Sequence, residues 1–343
     1  MRSAFLARLV NGPFGDPGVL VDLLHRRRAF LLDLGEIGAV SVREVLRVRD
    51  VFVSHAHMDH FSGFDRLLRL ALGRDMEIRL FGPPGLIDRV EHKLHGYTWN
   101  LLGGYVNELG FAVTELHPGG QGRRASFRLR HGFARTDEHG VELPRGVLLD
   151  EGNLRARAAV LDHGVPCLGF ALEEKWHVNV HKNRLLDLGL ETGPWLRELK
   201  DLVLAGAADD HVVTARWQEA GRTVERRFAL AFLKERILDV VRGDRIAYVT
   251  DVAWTEANVA AIVKLARGAE ILFIEAVFLD RDRERAAARR HLTAHQAGTL
   301  ARLAGARRVV PFHFSPRYAA EETALYLELD AAFAGDSGGS VPC

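Results

Sequence analysis

Four side chains able to bind a metal fall within six positions in the run Ser54-His55-Ala56-His57-Met58-Asp59-His60, directly after the apolar stretch Val51-Phe52-Val53. In an extended segment, residues two apart project to the same side, so His55 and His57 can converge on one cation. Asp59 and His60 stand where the chain turns into a helix near Phe61, point elsewhere, and suit a second cation close by. Imidazole and carboxylate without thiolate make the donor set of a hydrolytic zinc site rather than a structural one, with manganese or iron chemically allowed.

A two-metal site needs further ligands, and three candidates share one placement. His163 follows Ala158-Ala159-Val160-Leu161-Asp162, Asp251 follows Ile246-Ala247-Tyr248-Val249-Thr250, and His313 follows Val309-Val310-Pro311-Phe312. In layered α/β proteins, sites form on the loops that leave the carboxyl ends of strands. Any one of the three, taken alone, reads as a turn former or a satisfied core group. Taken with the dense run, they read as one convergent site. The remaining histidines, among them His25, His117, His177 and His181, have no such context and receive no role.

The elements that must carry these residues follow from periodicity. Phe30-Leu31-Leu32, a helical pattern from Val42 to Val48, the strand at Val51 and a helix from Phe64 to Leu72 alternate. The rhythm returns with Ile246–Val249, a helix from Glu256 to Ala266, Ile271–Ile274, a helix from Asp280 to Arg290, and Val309-Val310. Such alternation predicts a layered α/β fold. Residues 174–228 between the two halves are irregular and mixed in charge, and read as an inserted arm on a single domain spanning 1–343. At 343 residues with 48% apolar content the chain can bury a large core. Lys plus Arg, 46, nearly balances Asp plus Glu, 45, which excludes a general nucleic-acid binder with a strong positive field and leaves room only for a local basic patch. Two cysteines, Cys167 and Cys343, supply neither a disulfide framework nor a thiolate cluster, so a reducing cytoplasm is the expected compartment. Nothing approaches a membrane-spanning run, and Met1–Val10 is too short and too interrupted for a secretory segment. The small-residue tail from Gly335 to Cys343 is expected to fray.

The His55–His60 run, with Asp251 and His313, resembles the metallo-β-lactamase superfamily, and more narrowly the ribonuclease Z family of tRNA 3′-end endonucleases. The resemblance also rests on Phe81-Gly82-Pro83-Pro84-Gly85-Leu86, on Asp162-His163-Gly164-Val165-Pro166, on His291-Leu292-Thr293-Ala294-His295-Gln296-Ala297 and on His313-Phe314-Ser315-Pro316-Arg317-Tyr318. It implies an α/β, four-layer αβ/βα sandwich carrying the inserted arm. It also implies two Zn2+ ions per chain, one held by His55, His57, His163 and Asp251, the other by Asp59, His60, Asp251 and His313. A homodimer in which the arm serves the partner's active site is implied as well. The family's glycine-rich amino-terminal turn and its Arg-bearing loop are replaced here by Val10-Asn11-Gly12-Pro13-Phe14-Gly15-Asp16-Pro17, and its Gly-Pro arm hallmark is matched by Gly193-Pro194-Trp195.

The chemistry expected of such a site is phosphodiester cleavage, in which paired zinc ions bring a water near neutral pKa and clamp attacking and leaving oxygens. Asp59 is the candidate general base. His291 is the candidate acid for the leaving oxygen, with His295 as its neighbour and rival. Thr293 and Gln296 have capping-box spacing, which explains them without catalysis and leaves His291 just outside a helix start. Ser315 and Arg317 are candidate phosphate binders. Arg26-Arg27-Arg28 and the run Arg281–Arg290 read as solvated faces, the latter interleaved with acids. Precursor tRNA is the leading substrate, with Gly193 and Pro194 in the gripping arm. Small phosphodiesters are the nearest rival, and thioesters or lactones a rival from another reaction class.

Overall fold

The computed structural model describes residues 5–24, 27–219 and 221–335; Met1–Ala4, His25, Arg26, Ala220 and the tail from Asp336 through Cys343 lie outside the described residues. The chain divides into two compact units, the smaller made of Asp150–Arg155 and Glu173–Asp244, the larger of Phe5–Leu149, Ala156–Leu172 and the chain from Arg245 onward.

In the larger unit, β1 (Phe5–Leu9), β2 (Val19–Leu23), β3 (Ala29–Leu32), β4 (Val48–Phe52), β5 (Met76–Gly82), β6 (Leu109–Leu116), β7 (Gly122–Arg128) and β8 (Arg135–Glu138) form one sheet in chain order. The central pairs from β3 to β6 are parallel. Parallel neighbours need crossovers, and the helices Val42–Val45, Phe64–Ala71 and Leu86–His95 supply them. The helical pattern at Val42–Val48 is thus shorter than its sequence implies, because Val48 already pairs with Ala29.

The chain continues through β9 (Val147–Glu151), β10 (Leu154–Asp162) and β11 (Pro166–Glu174). In the smaller unit follow β12 (Trp176–Val180), β13 (Val212–Glu219), β14 (Arg222–Ala229) and β15 (Leu238–Arg242), then in the larger unit β16 (Arg245–Val249), β17 (Ile271–Glu275) and β18 (Val309–Phe312). A second sheet has the order β18-β17-β16-β11-β10-β9. β16, β17 and β18 are mutually parallel, joined across the helices Glu256–Ala266 and Ala294–Ala304. The two sheets face each other, with Phe52 of β4 5.5 Å from Phe170 of β11 between ring centroids. Helices cover both outer faces: Phe64, Leu67, Ile87 and Val90 pack on the first sheet, and Ile262, Leu300, Leu325 and Leu329 on the second. Strands covered on both sides are apolar throughout, as in the fully buried Ala29–Leu32. The αβ/βα sandwich is therefore present.

Within the smaller unit β12 pairs with β15 and β13 with β14, both antiparallel. With the helices Lys182–Asp187, Trp195–Leu204 and Leu230–Ile237 they enclose a core that includes Trp195, Leu199, Trp217, Leu230 and Leu233. The segment read as irregular over 174–228 is regular and runs on to Asp244. Its elements are short and mostly solvated on one side, so charged residues interrupt the apolar periodicity that would have revealed them. Among the described residues no helix is long and apolar enough to cross a membrane.

Candidate metal centre

Parallel strands bring their carboxyl ends to one edge of a sheet, and each sheet contributes that edge to the site. From the first come Asp33 after β3 and His55 after β4; from the second, Asp251 after β16, Glu275 ending β17 and His313 after β18. His57 is the N-cap of the short helix Met58–Phe61, which carries Asp59 and His60. The turn therefore begins three residues before Phe61, and it rotates Asp59 and His60 away from the direction of His55 and His57. Asp33, Asp251 and His313 hold φ angles of 58°, 48° and 60°. Side-chain-bearing residues rarely adopt this left-handed region, and its use at three strand ends of one site is strain retained for aim.

Ligating atoms of His55, His57, His163 and Asp251 lie within 4.8 Å of one another, as do those of Asp59, His60 and His313, and those of Asp251, Glu275, His291 and His313. Asp251 faces both sides: Oδ2 is 3.5 Å from His55 Nε2 and 3.3 Å from His163 Nε2. Oδ1 is 3.5 Å from His60 Nε2 and 3.0 Å from His313 Nδ1. His60 Nε2 is buried without a hydrogen-bond partner among the described residues, and stands 3.5 Å from Asp59 Oδ2. Apart from the 3.0 Å contact, these separations are long for hydrogen bonds, whereas donors each about 2.0–2.1 Å from a tetrahedral zinc lie roughly 3.3 Å apart. The donor set and the orphaned nitrogen fit metal ions.

Three of the rings are aimed from behind. His60 Nδ1 is 2.8 Å from Asp33 Oδ2, His163 Nδ1 is 2.8 Å from the Arg290 carbonyl, and His291 Nδ1 is 2.8 Å from Glu275 Oε2. A nitrogen that donates backward leaves the opposite nitrogen as a lone pair facing the cluster. Asp33 also accepts from the Ser54 hydroxyl and amide and from the Tyr248 hydroxyl, at 2.7, 2.6 and 2.8 Å. Asp33, Ser54 and Glu275 escaped the sequence reading. The signal that found Asp251, a polar residue closing an apolar strand, holds equally for Asp33 after Leu32 and for Glu275 after Ile274.

Four carboxylates in one pocket of low dielectric need countercharge. Burial and the neighbouring His60 push His55 down to about 3, keeping it neutral. Burial opposes protonation of His60 too, but Asp33 and Asp251 outweigh it and hold the ring well above its ordinary value. His313 is raised likewise, burial being overcome by Asp251. Burial would raise Asp251, yet His313 and His60 hold it well below the usual carboxylate range. Protons on imidazoles thus stand where cations would, and metal binding must release them.

His291 lies beside His163, ring centroids 4.8 Å apart, whereas His295 sits inside the helix start with its amide capped by Glu328 at 3.0 Å. The predicted box forms, Thr293 Oγ1 accepting from Gln296 N and Gln296 Oε1 from Thr293 N. Ser315 lines a pocket with Asp59, His291 and His313. Arg317 pairs with Asp282 at 3.3 Å. Gly193 and Pro194 belong to the smaller unit, where they start the helix Trp195–Leu204; a Cβ on Gly193 would meet the Arg216 carbonyl at 2.9 Å. The helix expected over Asp280–Arg290 is a 3-10 turn at Asp280–Asp282 followed by Arg283–Arg289, ended by Arg290 at φ 58°.

A two-sheet sandwich that gathers histidines and aspartates at its strand ends defines a metal-binding protein of the β-lactamase superfamily, and residues 236–314 match the β-lactamase superfamily domain. Ribonuclease Z of Deinococcus radiodurans is 36% identical over 84% of this chain and 82% of its own length. Ribonuclease Z of Chlamydia caviae is 30% identical over 79% and 71%. The short form of human tRNase Z shares the fold, with a TM-score of 0.53 at 21% identity over 92% of both chains. The chain belongs to the ribonuclease Z family.

Proposed function

We propose that this chain is a zinc-dependent endoribonuclease that removes the 3′ trailer from precursor tRNA. The observation that carries the reading is the convergence of seven donors from four parts of the chain, His55, His57, Asp59, His60, His163, Asp251 and His313, in a member of the ribonuclease Z family. His55, His57, His163 and Asp251 would hold one cation and Asp59, His60, Asp251 and His313 a second, Asp251 belonging to both sets because its two oxygens face the two groups. When bound, the metal pair supplies an activated water and positive charge for the phosphodiester.

The chain's own residues do the rest. Asp59, oriented by His313 Nε2 at 3.3 Å and lining the pocket, accepts the proton of the attacking water. Glu275 holds His291 by Nδ1 and raises its affinity for protons against the cost of burial, so Nε2 carries the proton that the leaving oxygen needs. That oxygen stays on the tRNA as its 3′-hydroxyl. Ser315 and Arg317 are the proposed phosphate contacts, and residues 174–228, with Gly193 and Pro194, the proposed grip on tRNA. A cytoplasmic homodimer is the proposed form.

Zinc-loaded protein should cut a precursor tRNA bearing a 3′ trailer, and Asp59→Ala should lower the rate by at least a hundredfold, the scale of lost acid–base catalysis. Turnover confined to small chromogenic phosphodiesters or to thioesters and lactones would remove the tRNA reading.

A further inference from the structure

The floor of the pocket beside the metal centre is Asp59, His291 and His313, and its volume of about 280 Å³ approaches the roughly 300 Å³ lower end of small-ligand sites. Two of its remaining residues have no role in the reaction. Phe14, half-buried, comes from the loop Gly12–Pro17. Its ring meets Phe314 edge to face at 5.4 Å, and the same loop is tied down by the Phe314 amide donating to the Pro13 carbonyl at 2.8 Å. The ring is therefore held in place before any ligand arrives. Arg289 is the last residue of the helix Arg283–Arg289 and is exposed.

Four of the arginines around it already hold an ion pair. Arg281 pairs with Glu321 at 2.8 Å, Arg283 with Asp280 at 2.7 Å, Arg290 with Asp162 at 3.1 Å and Arg317 with Asp282 at 3.3 Å. Arg289 has no such partner among the described residues. The run that reads as a solvated face in the sequence thus leaves Arg285 and Arg289 without an ion pair among the described residues, and of the two it is Arg289, two residues from His291, that lines the pocket with the aromatic wall.

A planar cation suits a phosphate, and a fixed aromatic ring suits an unpaired base. We propose that Phe14 and Arg289 form a one-nucleotide subsite beside the reaction centre, Phe14 stacking on a base of single-stranded RNA and Arg289 binding the adjoining phosphate. This rests on the endoribonuclease reading and names the substrate contact that sets it apart from hydrolysis of simple esters. Asp16, which also lines the pocket, is turned to the segment after β3, accepting from the Glu36 amide at 3.1 Å.

The test is calorimetric binding of adenosine 5′-monophosphate and of inorganic phosphate to the zinc-loaded protein, beside cleavage of precursor tRNA. Wild type should bind the nucleotide at least fivefold more tightly than phosphate, the low end of base stacking on an aromatic ring. Phe14→Ala should erase that margin and Phe14→Tyr should keep it. Arg289→Ala should weaken the nucleotide roughly tenfold, with Arg289→Lys recovering part of the loss because charge without the planar fork is a poorer match. In cleavage, the loss in the Arg289 variant should sit in KM. Nucleotide binding no tighter than phosphate, or unchanged within twofold in Arg289→Ala, overturns the subsite. Should tRNA stay uncut while the nucleotide binds in this pattern, the tRNA reading falls and the subsite stands.

Discussion

Asp251 is where the two ligand groups meet, one oxygen to each, at a φ of 48° that side-chain-bearing residues seldom adopt. Asp251→Ala should therefore lose metal from both groups at once. Elemental analysis after dialysis should find well under half the wild-type content, whereas loss of one ion only would contradict a shared ligand. Glu275 makes a finer case. Its Oε1 accepts from the amides of Val252 and Leu292 at 3.0 and 3.1 Å, while Oε2 accepts from His291. Glu275→Gln can keep the first role with its carbonyl, but its amide then points a donor at the His291 Nδ1 proton and forces the wrong tautomer. We expect kcat for tRNA cleavage to fall by a hundredfold or more with only a small change in melting temperature, by analogy with the amide substitution in a serine-protease triad. A kcat within threefold of wild type would show that Glu275 does not orient His291.

At the scale of elements, the parallel strands β16, β17 and β18 bring Asp251, Glu275 and His313 to one edge without any contact between those residues being needed to fold the sheet. The helix Ala294–Ala304 fixes the approach of His291. Thr293, fully buried, caps that helix and also donates to Asp280 Oδ1 at 2.9 Å. Thr293→Ala should cost about 1–2 kcal/mol in denaturant unfolding, the upper range for a lost cap. A cost below about 0.5 kcal/mol would mean that the box is ornamental. This element was legible in sequence, as was the helix Glu256–Ala266, because capping and 3.6-residue periodicity are local properties. The crossover helix at Val42 was read too long, since the pairing of Val48 with Ala29 is decided by the neighbouring strand.

For the whole molecule, buried carboxylates at Asp33, Asp251 and Glu275, with Asp59 beside them, make the sandwich depend on its countercharges. Stripping metal with a chelator should lower the melting temperature, and zinc should restore it, because a cation that binds only the folded state stabilises it by mass action. An unchanged melting curve would argue against bound metal. In the smaller unit, Glu174 N donates to Asp244 O at 2.9 Å, so the two ends of the insertion are adjacent. Replacing residues 175–243 by a two-residue turn should preserve metal content and hydrolysis of bis(p-nitrophenyl) phosphate while tRNA cleavage drops at least a hundredfold. Retention of full tRNA cleavage would end the gripping role.

Donor types and strand-end spacing already announced the ligand run, its three distant partners, the layered fold and the family, because residue chemistry and short periodicities are written along the chain. Tertiary structure alone decided that Asp33 and Glu275 stand behind His60 and His291, that Arg317 is paired while Arg289 is free, and that the insertion has a core of its own. Those facts depend on which side chains meet across sixteen or more positions of chain, and one-dimensional spacing carries no record of such meetings.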